Sequence, residues 1–124
     1  MNIFKARPVG DDWTEARSEL ERAFQMSRQA ALNEESFVFV VHHDDLLGRR
    51  GPGNAMVATG LLSAARTAAI EGSRKGWTAN VLAYDDDSDP DLVDGWAERL
   101  AEDSHGVTGE LIRLGWSHLG KALP

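Results

Sequence analysis

The chain contains no cysteine in its 124 residues, which removes disulfides, thiolate metal ligation and cysteine nucleophiles together. Tyrosine is almost as scarce: Tyr84 is the only one. Lysine occurs only at 5, 75 and 121, so no Tyr-x-x-x-Lys pair exists at any register. Cations are few and scattered. Thirteen Lys and Arg against twenty Asp and Glu leave a formal charge of −7, and only Arg49–Arg50 and Arg74–Lys75 are adjacent. Nucleic acids and anionic membranes both demand clustered cations, so neither is expected as a partner. No apolar run approaches the ~20 residues of a membrane-spanning helix. The N-terminal MNIFKARPVG also lacks the apolar centre of a signal peptide. The expectation is a single cytoplasmic domain over residues 1–124, with Met1 and a capped first helix suggesting a complete chain.

What is present has α/β periodicity. From Asp12 to about Leu32, Trp13, Ala16, Leu20, Ala23, Phe24, Ser27 and Ala31 recur at helical spacing and predict one buried stripe. Asp11 or Asp12 supplies a cap, and Glu15 suits the first turn. FVFVV at 37–41 is the continuous apolar run of a strand buried on both faces. A second long helix is predicted from Ala55 to about Lys75, with Asn54 as a possible cap and Gly76 as its stop. Its core stripe is Ala58, Leu61, Leu62, Ala65 and Ala69, and Gly60, Ala64 and Ala68 beside it would let another helix approach closely. TANVLAY at 78–84 reads as a second strand, 90–102 as a shorter helix with Leu92, Trp96 and Leu100 inward, and 109–115 as a third strand. This alternation implies parallel strands joined by right-handed crossovers.

Chemistry-bearing clusters are sparse. HHDD at 42–45 stands at a strand's carboxyl end, where α/β folds place their sites, and could bind a metal or form an acid–base pair. Successive residues on an extended chain point to opposite sides, so polar loop residues at a strand end are the plainer reading. DDDSDPD at 85–91 lacks the glycine and closing Glu of a twelve-residue calcium loop and reads as a solvated acidic loop. Arg49 and Arg50 before a helix start could hold an anion, or simply be exposed loop residues. His105 and His118 are expected at the surface.

Three separated patches, LAEDSHGVTGELIRLGW (100–116), AARTAAIEGSRKGWTANVLAYD (64–85) and DDWTEARSELERAFQMSRQAAL (11–32) followed by FVFVV, resemble in order the C-terminal half of the short-chain dehydrogenase/reductases. The likeness is strongest to the β-ketoacyl carrier-protein reductase type and spans roughly residues 11–118. It implies a partial Rossmann-like three-layer fold, with a small parallel sheet of about three strands and long helices, lacking the nucleotide-binding half. None of the twelve glycines forms a Gly-rich turn after a strand, and GRRGPGN at 48–54 is only a weak imitation.

Carried over from Glu71, Gly76 and Asn80, the family's catalytic Tyr falls on Asn54, its Lys on Ala58, its Ser near His42 or His43, and its Asn on Glu19. Tyr84–Asp85 replaces the Pro-Gly that shapes the nicotinamide pocket. The resemblance thus implies no reductase activity and no cofactor. It also implies a four-helix interface built from 12–32 and 54–75, with a further one from 90–115. The expected function is a non-catalytic subunit associating with itself or with a full-length short-chain reductase paralogue, with Trp13, Leu20, Phe24, Leu61, Leu62, Ala65 and Ala69 as candidate interface residues. Two alternatives stay open: a small-ligand-binding protein with a pocket at His42, His43, Arg49 and Asn54, or an enzyme of altered chemistry using His42, His43, Asp44 or Glu19.

Overall fold

A computed structural model describes residues 1–103 and 105–116. The elements are β1 (Asn2–Lys5), α1 (Trp13–Leu32), β2 (Phe37–His42), α2 (His43–Leu46), α3 (Pro52–Lys75), β3 (Ala79–Tyr84), α4 (Pro90–Ala101) and β4 (Leu111–Arg113). All pairings are parallel and the sheet order is β1-β2-β3-β4, with Lys5 beside Val40 and His42 beside Tyr84. Among the described residues the sheet therefore has four strands where about three were expected. The additional strand, β1, is NIFK: four residues too short to show a period, recognisable only because β2 pairs with it. No described helix is long and apolar enough to cross a membrane.

The alternation along the strands divides the core between two layers. Phe37, Phe39, Val41, Val81 and Ala83 meet α1 and α3. Val38, Val40 and Leu82 meet α4 through Val93, Ala97 and Leu100. Since the strand order advances in one direction while α4 lies on the face opposite α1 and α3, the third crossover has the opposite hand to the first two. Uniformly right-handed crossovers were expected, and this one departs from a rule that holds for about 98% of such connections. Among the described residues α4 is the one helix on that face, where Val107 and Leu114 of the flanking segments also pack.

The helical faces need two phase corrections. In α1 the buried row is Ala16, Glu19, Ala23 and Ala30, whereas Trp13 (57% exposed) and Phe24 (63%) point outward. Alanine wins the inner row because it lets the helix axis lie close to the sheet, and the larger residues obey the same spacing on a neighbouring stripe. In α4, Val93, Ala97, Leu100 and Ala101 are buried, while Leu92 and Trp96 are exposed. Asp12 caps α1 by accepting from the Thr14 N–H at 2.9 Å. The α3 helix begins three residues earlier than expected, at Pro52, whose missing N–H suits a first turn. Gly51 is its cap residue, without a side-chain bond, and Asn54 lies inside the first turn. Gly76 ends α3 in the left-handed conformation at φ 87°.

Leu61, Leu62, Ala65 and Ala69 are buried in the chain's own core and do not reach the outer surface of α3. The small residues beside them do: Ser63, Ala64 and Thr67 are exposed, and Gly60 packs near Leu20 of α1. Gly72 is indispensable in another sense, since a Cβ there would run into the Trp77 carbonyl and indole ring.

Candidate functional site at the carboxyl edge of the sheet

The loop from Ala6 to Asp12 leaves β1 and folds against the start of α3. It is pinned from below by side chains. The buried Glu19 accepts the Arg7 N–H at 2.6 Å and the Arg22 Nε at 3.0 Å. Asn54 accepts the Val9 N–H at 2.8 Å and donates to the Arg50 carbonyl at 2.8 Å. Glu15 accepts the Gly10 N–H at 2.8 Å. The loop lies so close to α3 that a Cβ at Gly53 would meet the Gly10 carbonyl. Ala58, one turn further on, is buried and offers no polar atom. A loop without its own secondary structure needs partners for its buried N–H groups, and Glu19 and Asn54 supply them.

The adjacent histidines diverge. His42 is buried toward the α4 side, where its ring meets Tyr84 edge-on at 5.2 Å. Its Nδ1 accepts the Asp44 N–H at 3.0 Å, which in the neutral ring leaves the proton on Nε2, donated to Asp86 Oδ1 at 2.8 Å. His43 is 1% exposed, and neither ring nitrogen has a hydrogen-bond partner. Burial holds its pKa below the ordinary histidine value, against the opposing pull of Asp85 and the Ala83 carbonyl.

Around them stand groups that the sequence alone does not join to the histidines. Arg50 makes a two-pronged bond to Asp45 at 2.8 Å on each prong, which raises the guanidinium pKa further. Lys5 lies 5.0 Å from the Tyr84 ring centre. Burial raises the Tyr84 phenol, Arg50 opposes this, and Asp45 and Asp86 add to it. Register is the signal that would have found the set: parallel pairing brings the ends of β1, β2 and β3 together, but only once β1 is recognised as a strand.

The candidate pocket of His42, His43, Arg49 and Asn54 is not assembled. The two rings face opposite sides of the sheet, Asn54 is spent on the β1–α1 loop, and Arg49 is exposed with a 3.4 Å contact to Asp44. Ligand atoms of His42, Asp44 and Asp86 lie within 4.8 Å of one another, but Asp86 is 88% exposed. Moreover, the N–H bond to Nδ1 keeps a proton on Nε2, so the ring presents a donor where a metal needs a lone pair. His105 is half-buried rather than a surface group: its Nδ1 accepts the Val107 N–H at 2.9 Å and its Nε2 donates to the Leu100 carbonyl at 3.1 Å. His118 lies outside the described residues.

Solved structures with this architecture include a short-chain dehydrogenase from Mycobacterium smegmatis, at a TM-score of 0.67 and 21% identity over 94% of this chain and 58% of that one. The fold is that of the short-chain dehydrogenase/reductases. A putative member from Burkholderia xenovorans matches at a TM-score of 0.65 and 17% identity, over 90% of this chain and 62% of its own. An oxidoreductase of that family from Brucella ovis, in complex with a partially ordered NAD, matches at 0.63 and 17%, over 93% and 65%. The chain thus spans under two thirds of the length of these structures. No protein-family model and no curated protein sequence matches it.

A nicotinamide nucleotide is the group such a fold would suggest, and the residues at its expected place do not fit one. Position 58 carries no cation, both ends of the Asn54 amide are bonded to backbone, and the β1–α1 loop is packed directly on the α3 backbone at Gly53.

Proposed function

We propose that this chain is a non-catalytic, short-chain-reductase-like subunit that assembles through the outward faces of α1 and α3, with a second copy or with a full-length reductase of the same fold. The observation that carries this reading is the unpartnered apolar surface on those helices: Trp13, Phe24 and Leu32 on α1, and Met56 and Ile70 on α3, each at least half exposed. Between them run Ser63, Ala64 and Thr67, small enough for another helix to approach closely. A groove of about 380 Å³ lies nearer the carboxyl ends of the two helices, where Phe24 and Leu32 of α1 face Ala68, Glu71 and Lys75 of α3. Covering one Phe-sized side chain is worth about 1.5–3 kcal/mol, so a few anchors of this kind suffice for association. The non-catalytic part of the reading rests on Glu19 and Asn54, whose polar atoms serve the fold.

The alternatives have less behind them. A ligand pocket needs converging groups, which His42, His43, Arg49 and Asn54 are not. Altered chemistry at His43 needs a ring nitrogen within reach of solvent, and both are enclosed.

Native mass measurement tests the proposal, on the chain alone and co-expressed with short-chain reductases from its own genome. A stable dimer or mixed complex is expected, and Phe24→Glu with Ile70→Glu should dissociate it without unfolding the chain. A monomer under every one of these conditions would refute the proposal.

A further inference from the structure

We infer that the partner of this chain is a second copy of itself, laid antiparallel across α1 and α3 with the two-fold axis passing Ser63. The inference rests on the reading of those helices as an association surface and names what covers it. A two-fold interface is self-complementary: each residue meets, on the partner, the residue equally far from the axis on the other side. The outward ridge of α3 has this property. Met56 and Ile70 stand seven residues either side of Ser63, and Thr59 and Thr67 four, all of them exposed. Seven and four residues are about two turns and one turn, so the five share a face. An axis at Ser63 therefore sets Met56 against the partner's Ile70 and Thr59 against the partner's Thr67. The threonine hydroxyls already donate within α3, to the Ala55 carbonyl at 2.6 Å and the Ser63 carbonyl at 3.0 Å, so covering them strands no donor. A groove of about 290 Å³ beside this ridge, between Thr59 and Ile70, can receive the facing helix.

The same axis suits α1, whose spacing is independent of that in α3. Leu20 packs at Gly60, so a residue of α1 lies level with the one forty positions on in α3, and Ala23 is level with Ser63. Trp13 stands ten residues before Ala23 and Leu32 nine after it, so the two pair across the axis. Phe24 is one residue beyond Ala23 and comes within about 3 Å, along the helix, of its own counterpart.

Charge and area both admit a second copy here. Residues 52–70 contain no Asp or Glu in a chain that has twenty, so two copies meet on α3 without acid facing acid. The outer side of α4, by contrast, shows Asp91, Asp94, Glu98 and Glu102, and a copy laid on it would set like charges together. The helices α1 and α3 have 20 and 24 residues. At about 1.5 Å per residue and about 10 Å between axes, they present a face of about 600 Å² in outline. Two such faces give about 1,200 Å², which reaches the range of specific interfaces.

Because the chain has no cysteine, one introduced thiol reports one position. Native mass on the unaltered chain should show a homodimer with no reductase added. Under mild oxidation, Ser63→Cys should form covalent dimers at least tenfold faster than Met56→Cys, whose counterpart lies about 21 Å away along the helix. Mixing Met56→Cys chains with Ile70→Cys chains should restore fast linkage, and this mixture decides should Ser63→Cys disturb the packing. A chain that is monomeric alone yet pairs with a full-length reductase overturns the second copy and leaves the association surface standing. A homodimer in which neither Ser63→Cys nor the mixture links faster than Met56→Cys alone overturns the axis at Ser63 and also leaves that surface standing. Monomers under every condition overturn both.

Discussion

Glu19 and Asn54 show how a polar residue at a site-like position can be taken up by the fold itself. Each receives a loop N–H, and removing Asn54 would leave the N–H of the buried Val9 without that partner. Asn54→Ala should cost about 1–3 kcal/mol, the penalty for a buried donor without a partner, read as a lower urea midpoint with an unchanged slope. Installing Asn54→Tyr with Ala58→Lys should likewise destabilise the chain. That double variant should gain no NADH or NADPH affinity in a titration, because the β1–α1 loop still lies on Gly53. Asp103 is a different case. Its carboxylate accepts the Ser36 N–H at 2.9 Å, and its bonds to Ser36 hold its pKa below the ordinary value. A depressed carboxyl contributes stability that is present above its unfolded value of about 3.8 and lost as pH falls through the folded one. Asp103→Asn should therefore lower stability at neutral pH, change it little at the acid extreme where the native carboxyl is protonated, and flatten the limb between.

At the scale of elements, helix phase is the point most open to experiment. Leu100 faces the sheet and Leu92 does not, so Leu100→Ala should cost about 2–5 kcal/mol and Leu92→Ala under about 0.5 kcal/mol. Asp12→Ala should cost about 1 kcal/mol through loss of the α1 cap. Much of this layer is legible in the sequence: the long helices, two central strands and the Gly76 stop follow from capping, apolar continuity and left-handed glycine. What is not legible depends on tertiary context. Two stripes of the same spacing compete in α1 and in α4, and only packing distance decides that the smaller side chains go inside. The β1 strand has no period to read, and it exists as a strand because β2 offers it a partner. The candidate site was half legible for the same reason. HHDD is visible as a strand end, whereas Lys5, Tyr84 and Asp86 join it through strand register alone.

At the scale of the whole molecule, the charge of −7 and the apolar row on α1 and α3 act at different ranges. Like charge repels two copies at a distance and is screened by salt, whereas apolar burial operates only on contact. If the partner is a second copy, its dissociation constant should fall as ionic strength rises from about 0.01 M to 0.15 M, the range over which the Debye length shrinks from about 30 Å to 8 Å. Sedimentation equilibrium at those two salt concentrations would show it.

Among the described residues α4 is the one helix on its face of the sheet, and this has a consequence for the order in which the molecule is made. Once β3 has emerged from a ribosome, β1, α1, β2, α3 and β3 can assemble one complete layer. Val38, Val40 and Leu82 then still face water on the other side. They remain uncovered until residues 85–101 have been synthesised, about one to a few seconds at 5–20 residues per second. During that interval the nascent chain displays a flat apolar surface beside an unpaired strand edge, the combination that invites aggregation. Synonymous codon changes that slow translation across 85–101 should therefore lower the soluble yield without altering the finished protein.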